Sequence, residues 1–214
     1  MVATVGPDLQ HDKGETPETE SQVPVLAGLA KAGNKEPFEK IVDIFQKEIF
    51  RMIYYRTQSY MDAEDLTQEV FIKAYESLHT LREVHYFKSW LFKIAINRVR
   101  DFKRKKQIFV FLGTETREED FDQGNTEPYD DPETYTLLDR REFWKHMQFF
   151  LKKLSRWERE VFLLRFLDEC GIKEISEILN KSESAIKTHL YRALNKFRKD
   201  TKLVRLLQGE TYEL

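Results

Sequence analysis

The chain has 214 residues, a single cysteine, 41% hydrophobic and 34% charged residues, and a net charge of −2 at neutral pH. That length suits one or two domains, and the lone Cys170 rules out an intrachain disulfide and a cysteine-rich zinc site. The longest apolar runs fall far short of the roughly 20 residues of a membrane span. No basic segment followed by an apolar run opens the chain, so a cytoplasmic protein without membrane insertion is expected.

The small net charge hides strong segregation. Residues 1–22 sum to −4, residues 97–106 to +5, residues 107–136 to −8 and residues 181–202 to +5. Two basic blocks separated by an acidic one form a pattern that asks for an explanation. Residues 1–22, acidic and poor in large apolar side chains, predict a disordered tail. Residues 23–106 read as a first helical domain. In it Phe38, Ile41, Val42, Phe45, Ile49, Met52 and Ile53 recur at three- and four-residue steps.

A second helix is predicted from Asp62 to Leu78. Ala63, Leu66, Val70, Ala74 and Ser77 share one side of it, and Asp62, Asp65, Glu69 and Glu76 share another, within about 60°. Gln68 lies beyond Asp65. The helix dipole accounts for acids in the first turn but not for Glu69 or Glu76, for which a docking face for a basic partner is the competing account. A catalytic carboxylate pair or a metal site would need histidines at ligand spacing or a phosphate-binding glycine loop, and neither is present.

The third helix is predicted from Phe87 to about Lys106. Leu91, Ile94, Ala95, Arg98 and Phe102 follow its core side, and Asn97, Arg100, Lys103 and Arg104 point elsewhere. Aromatics at the start and bases along the exposed face suit melted DNA, where bases stack on rings and cations neutralise phosphates. Core anchors followed by a solvated helix end would look similar. Residues 107–135, with Gly113, Gly124, Pro128 and Pro132 among acids, predict an acidic flexible linker, opened by a short apolar stretch from Ile108 to Leu112.

Residues 136–214 predict a second helical domain, with helices over Tyr135–Leu154, Arg156–Leu167, Gly171–Leu179 and Glu183–Lys199. Asn180-Lys181-Ser182 makes a short turn before the last of these. Ser182 is a suitable N-cap and Glu183 suits the dipole. The last helix places Ala185, Ile186, Leu190 and Ala193 inward and Ser184, Lys187, Thr188, Tyr191 and Arg192 outward. This pattern describes a helix-turn-helix reader of DNA; a plain helical hairpin would share the apolar spacing. The fold predicted is all-α: two small helical domains joined by an acidic tether, the second a helix-turn-helix.

Three stretches carry a family resemblance. Asp62 to Tyr75 resembles the second conserved region of bacterial sigma factors. Phe87 to Lys106, with Trp90-Leu91 and Ile96-Asn97, is similar to the promoter-melting segment of the extracytoplasmic-function group. Leu154 to Arg198, with Arg159-Glu160-Val161-Phe162 and Ala185 to Leu194, resembles the −35-binding domain.

The resemblance implies a non-enzymatic initiation factor without cofactor or metal. Asp62, Asp65, Gln68 and Glu69 would bind the beta-prime coiled coil of core RNA polymerase. Lys88, Trp90, Lys93, Asn97, Arg100, Lys103 and Arg104 would engage the −10 element. Ser182, Ser184, Lys187, Thr188, His189, Tyr191 and Arg192 would engage the −35 element, with the domain seated on the beta flap. An anti-sigma factor is the implied regulator. The family often has arginine where this chain has Lys187 and His189, so base preference does not transfer. A stand-alone DNA-binding regulator would share the helix-turn-helix but need neither the acidic helix nor the −10-like segment. A nucleic-acid enzyme would need a nucleophile–base pair or a metal cluster, which the sequence does not offer.

Overall fold

The computed structural model describes residues 17–111 and 137–207, with side chains described over 21–108 and 143–206. The described residues hold nine α-helices, two short 3-10 turns and no strand. One compact unit carries α1 (Pro17–Lys31), α2 (Lys35–Thr57), α3 (Tyr60–Ser77) and α4 (Phe87–Phe111). The other is built on α5 (Leu137–Lys153), α6 (Arg156–Phe166), α8 (Glu183–Lys199) and α9 (Thr201–Leu207), with α7 (Ile172–Leu179) between α6 and α8 in the chain.

Two of the expected boundaries move. Helix α1 begins at Pro17, inside the 1–22 segment expected to be tail. Its acidic first turn is helical because it continues into a face of Val23, Ala27 and Ala30, all buried; proline is well tolerated at a first helical position. Helix α4 does not stop near Lys106 but runs through Phe111, so the start of the apolar stretch at Ile108 prolongs the helix rather than opening a linker. The rest of the expected tether, and residues 1–16, lie outside the described residues.

Local chemistry sets the joints of the first unit. Gly33 takes φ +102°, a conformation glycine adopts without steric cost, and its N–H donates to the Ala30 carbonyl while the Asn34 N–H donates to Leu29. This closes α1 and lets α2 start. Gln58 ends α2 at φ 61°, its backbone N–H donating to the Tyr54 carbonyl at 2.8 Å. Ser59 follows at once, and its hydroxyl accepts the Asp62 N–H to cap α3. The core is Ile41, Phe45, Ile49, Met52 and Ile53 of α2, Ala63, Leu66, Val70 and Ala74 of α3, and Phe87, Leu91, Phe92, Ala95 and Val99 of α4. Burying such side chains contributes roughly 1.5–3 kcal/mol each before entropy is counted. Val42 and Ser77, expected on the inner faces, are only half-buried.

The second unit is centred on three phenylalanines from three helices. Phe150 lies 5.3 Å from Phe162 and 5.3 Å from Phe197, both near edge-to-face, and Phe162 and Phe197 are 5.9 Å apart. Met147, Leu151, Leu154, Leu163, Ala193 and Leu203 close around them. A polar node joins α6 to α8 beside this cluster. The Ser155 hydroxyl accepts the Glu158 N–H, and the Glu158 carboxylate accepts the Ser155 N–H at 2.9 Å, a reciprocal capping box. The same carboxylate oxygen accepts from the Lys196 ammonium at 2.6 Å.

Burial of Glu158 acts to raise its carboxyl pKa. The hydrogen bonds from Lys196 and from the Ser155 backbone, with the Lys196 charge, outweigh it and hold the group below its ordinary value. A carboxylate with a depressed folded-state pKa contributes stability above its unfolded pKa and loses it as pH falls through the folded value. Glu158→Gln is therefore expected to destabilise the protein near neutral pH by about 1–2 kcal/mol. The gap to the parent should close on acidification through the carboxylate range. Urea unfolding followed by circular dichroism at pH 7 and at about pH 3 checks both parts; an equal gap at the two pH values would remove Glu158 as the titrating contributor.

Candidate nucleic-acid interface

Helix α3 presents its acids as the sequence predicts. Asp65, Gln68 and Glu69 are exposed and Asp62 is half-buried at the first turn. Among the described residues Asp65 has no ion-pair partner. Glu69 does have one: it faces Arg98 of α4 at 3.7 Å, with both side chains partly exposed. The face also holds large apolar groups that the acidic pattern obscured. Met61 is 76% exposed and Ile72 61% exposed. Ile72 lies seven residues from Asp65, hence about 20° away on the wheel. An apolar residue at a polar wheel position was the available signal. Both side chains stand singly among the carboxylates on the exposed side of the helix.

Helix α4 is rotated from its expected setting. Its buried stripe is Phe87, Leu91, Phe92, Ala95 and Val99. Arg98 and Phe102, expected on the core side, are partly exposed, and Ile94 is only half-buried. Phe92 and Val99 are the inner residues the periodicity missed. The opposite side consequently carries Trp90, Lys93, Asn97, Arg100 and Arg104, which fall within about 80° of one another. Lys93, Arg100 and Arg104 are exposed, and Trp90 and Asn97 half-buried. The Trp90 ring packs beside the buried Phe87 ring, with centroids 5.6 Å apart and the planes tilted by 49°.

Two members of the expected set stand apart. Lys88 pairs with Glu48 of α2 at 3.0 Å, in a setting where both side chains are largely covered, and lies over the Phe92 ring. Lys103 is exposed on a different flank of the helix. Arg104 pairs within the helix with Asp101 at 3.5 Å.

The turn between α7 and α8 lacks the glycine often found in such turns. Asn180 supplies the left-handed residue instead, at φ 52°, a conformation asparagine tolerates well. The Ser182 hydroxyl accepts the Ala185 N–H, so this side chain is used as a cap. Ile186 and Ala193 are buried, while Ala185 and Leu190, also expected inside, are half-buried. Ser184, Lys187, Thr188, Tyr191 and Arg192 are all exposed along one face, Tyr191 by 63%. Lys187 pairs loosely with Glu183 at 3.7 Å, and the Thr188 hydroxyl donates to the Ser184 carbonyl. His189 does not join them. It turns toward the core side, half-buried, with its Nδ1 buried and unpartnered among the described residues.

Cys170 is buried, its thiol donating to the Asp168 carbonyl at 3.4 Å. Among the described residues no three histidine, cysteine or acidic side chains are grouped to hold a metal ion. No described helix is long and apolar enough to cross a membrane.

Comparison with known proteins gives a consistent picture. Residues 41–108 match the family model Sigma-70 region 2, and residues 147–197 match Sigma-70, region 4. The chain is 31% identical to the ECF RNA polymerase sigma factor SigW of Bacillus subtilis, over 79% of this chain and 91% of that protein. It is 29% identical to the RNA polymerase sigma factor SigV of the same organism, over 72% and 84% of the two chains. Among solved structures it resembles CnrH in complex with the cytosolic domain of CnrY, with a TM-score of 0.61 at 22% identity, covering 88% of this chain and 99% of that one. It also resembles the sigma factor RpoE of Bartonella quintana in complex with the anti-sigma factor NepR, with a TM-score of 0.59 at 23% identity, covering 83% and 100%. At those identities the structural likeness speaks for the fold.

The contrast between Lys88 and Lys93 yields a direct test. Removing Lys88 takes an ion-pair partner from a largely covered Glu48 carboxylate, so Lys88→Ala is expected to cost about 1–3 kcal/mol of stability. Lys93→Ala, at an exposed position, should stay within about 0.5 kcal/mol. Equal denaturation midpoints for the two variants would show that Lys88 is no more structural than Lys93.

Proposed function

The chain belongs to the extracytoplasmic-function RNA polymerase sigma factors, and from that premise we propose how its surfaces divide the work of promoter recognition. It is a promoter-recognising transcription initiation factor, in a family that is not enzymatic. We assign it no catalytic step and place its action in the cytoplasm, where RNA polymerase works.

The stripe on α4 carries the reading. Trp90, Lys93, Asn97, Arg100 and Arg104 follow one another along a single exposed side, with a packed ring at one end and cations beyond. A melted strand asks for this order: bases stack on a fixed aromatic, an amide bonds a base edge, and cations track the phosphates. These five are the −10 surface in our proposal. Lys88 is a structural residue, and Lys103 stands on the flank, outside this set. Ser184, Lys187, Thr188, Tyr191 and Arg192 of α8 form the −35 surface, with Ser182 as its cap and His189 as a residue supporting the helix from within. Asp65, Gln68 and Glu69, with Met61 and Ile72, form the surface for the polymerase beta-prime coiled coil, and Asp62 stays near the cap. The second unit rests on the beta flap. RpoE of Bartonella quintana is seen with an anti-sigma factor, and we propose one as the inhibitor here as well.

Two measurements test the assignment. Asp65 lacks an ion-pair partner within the described protein, so Asp65→Arg brings repulsion at the interface without breaking a pair. Opposed like charges cost several kcal/mol, on the order of a hundredfold in affinity. Core polymerase binding should fall accordingly while the far-ultraviolet circular dichroism stays unchanged; wild-type affinity in this variant would remove α3 from the interface.

Asn97→Ala should slow promoter opening and change the preference among −10 variants while core binding is kept. Permanganate footprinting of the open complex on a −10 substitution series reads this. Normal opening on every member of the series would reduce Asn97 to a structural role.

A further inference from the structure

Helix α1 holds the segment that leads into the α4 stripe, and it does so with one charged side chain. Lys31, in the last turn of α1, donates from its ammonium group to the Leu81 carbonyl, 50 residues further along the chain. Leu81 lies between two short 3-10 turns, Leu78–Thr80 and Val84–Tyr86, that join α3 to α4. Its side chain is buried, and its N–H donates to the Leu78 carbonyl at 3.1 Å. Earlier in α1, Gly28 brings the backbone beside the second turn: a Cβ placed on it would lie 4.0 Å from the Val84 Cγ1.

The hydrogen-bond geometry of 3-10 turns is poorer than that of an α-helix, and such turns often act as hinges. The setting of this connection therefore depends on what is tied to it. Beyond the second turn that setting passes directly to the α4 stripe. The Phe87 N–H donates to the Val84 carbonyl, α4 starts at Phe87, and the buried Phe87 ring packs beside the Trp90 ring. Lys31 thus connects to Trp90 through the Leu81 carbonyl, the Val84–Tyr86 turn and the Phe87 ring. The core of this corner is closed by apolar groups, with Val23, Ala27, Ala30, Leu78, Leu81 and Phe87 all buried. Lys31 itself is exposed. An exposed side chain contributes little to stability, but a charge-assisted bond to a carbonyl has direction.

We propose that Lys31 is a positioning residue for the −10 surface. By holding the Leu81 carbonyl it sets the Val84–Tyr86 turn and, through Phe87, the attitude of the Trp90 ring toward a melted base. This rests on the reading of the α4 stripe as the −10 surface. Lys31 itself contacts no DNA in this arrangement. Its effect falls on promoter opening and not on core binding, which belongs to α3.

The test uses the full chain bound to core RNA polymerase. The rate of promoter opening is followed by permanganate reactivity of unpaired thymines across the −10 region, at saturating holoenzyme. Lys31→Met keeps the apolar stem and loses the donor, while Lys31→Arg keeps a donor. Lys31→Met should slow opening by roughly three- to tenfold, the worth of one hydrogen bond. Its affinity for core polymerase should be unchanged and its thermal midpoint close to the parent's. Lys31→Arg should open at nearly the wild-type rate. In a Trp90→Ala background, checked for folding by circular dichroism, Lys31→Met should add no further slowing, because it acts through that ring. Wild-type opening by Lys31→Met overturns the proposal. So does equal slowing by Lys31→Arg, additive slowing in the folded Trp90→Ala background, or a loss of core affinity as large as the loss in opening rate. Asn97→Ala controls for the premise. If it opens every promoter normally, the −10 reading falls and the positioning role with it; if it is slow and Lys31→Met is not, the positioning role alone falls.

Discussion

Helix α4 must bury one side to fold into the first unit, and that commitment fixes which side remains for a partner. Phe87, Leu91, Phe92, Ala95 and Val99 are locked against α2 and α3. Trp90, Asn97 and Arg104, at seven-residue spacing, are thereby set on the other side, along about 20 Å of helix at 1.5 Å per residue. A helix of this length would lose its directed face if it could roll on its support. Two features oppose rolling: the covered Lys88–Glu48 pair to α2 and the Arg98–Glu69 pair to α3. The second is partly exposed, a setting in which ion pairs contribute little stability. Its use is in geometry, because it spans the acidic helix and the basic helix at the level of Asn97.

The second unit solves the same problem with a different node. Helix α8 carries its exposed face only if α6 and the Phe150–Phe162–Phe197 cluster hold its inner one. Glu158 ties the start of α6, through its own capping box, to Lys196 near the end of α8. One carboxylate so serves a helix terminus and an interhelical contact together. That economy has a vulnerability, since protonation weakens both at once.

Much of this was legible in sequence where apolar spacing is simple. The inner face of α2 and the acidic stripe of α3 followed from three- and four-residue recurrence, and the helix-turn-helix followed from its cap and its small polar outer residues. The setting of α4 did not. The segment is apolar almost all round at its start, so several wheels fit equally well. Packing within the first unit chose Phe92 and Val99 over Arg98 and Phe102, a tertiary choice that local pattern does not contain. The extension to Phe111 was hidden because Ile108 interrupts the basic pattern while remaining compatible with a helix. The start of helix α1 is not visible in composition, because its acidic residues resemble a disordered tail while Val23, Ala27 and Ala30 give it a face to bury. Of the surface residues, Met61 and Ile72 were overlooked since exposure of apolar groups is not visible in a count of charges. His189 entered the −35 set through the family resemblance alone, and the wheel does not place it with the outward residues of α8.

The charge pattern along the chain acquires a physical meaning from these positions. The two basic blocks lie on α4 and α8, the helices assigned to DNA, and are separated in sequence by residues 107–136 with a net charge of −8. Each basic helix offers only a handful of side chains that can reach a base edge, and a good base contact gives roughly 1–3 kcal/mol of discrimination. Neither surface alone separates a promoter from the excess of other DNA. An overall charge near zero also limits non-specific attraction of the free protein to DNA, because the acidic segments offset the basic ones in the far field. The contacts become effective at short range, where local charge matters more than the net. Selectivity then requires that both surfaces act together on one DNA molecule, as tethered binding sites do when their geometry permits. In the division of work proposed above, the α3 face serves the polymerase, and the α4 stripe and the α8 face, each on its own unit, serve the promoter.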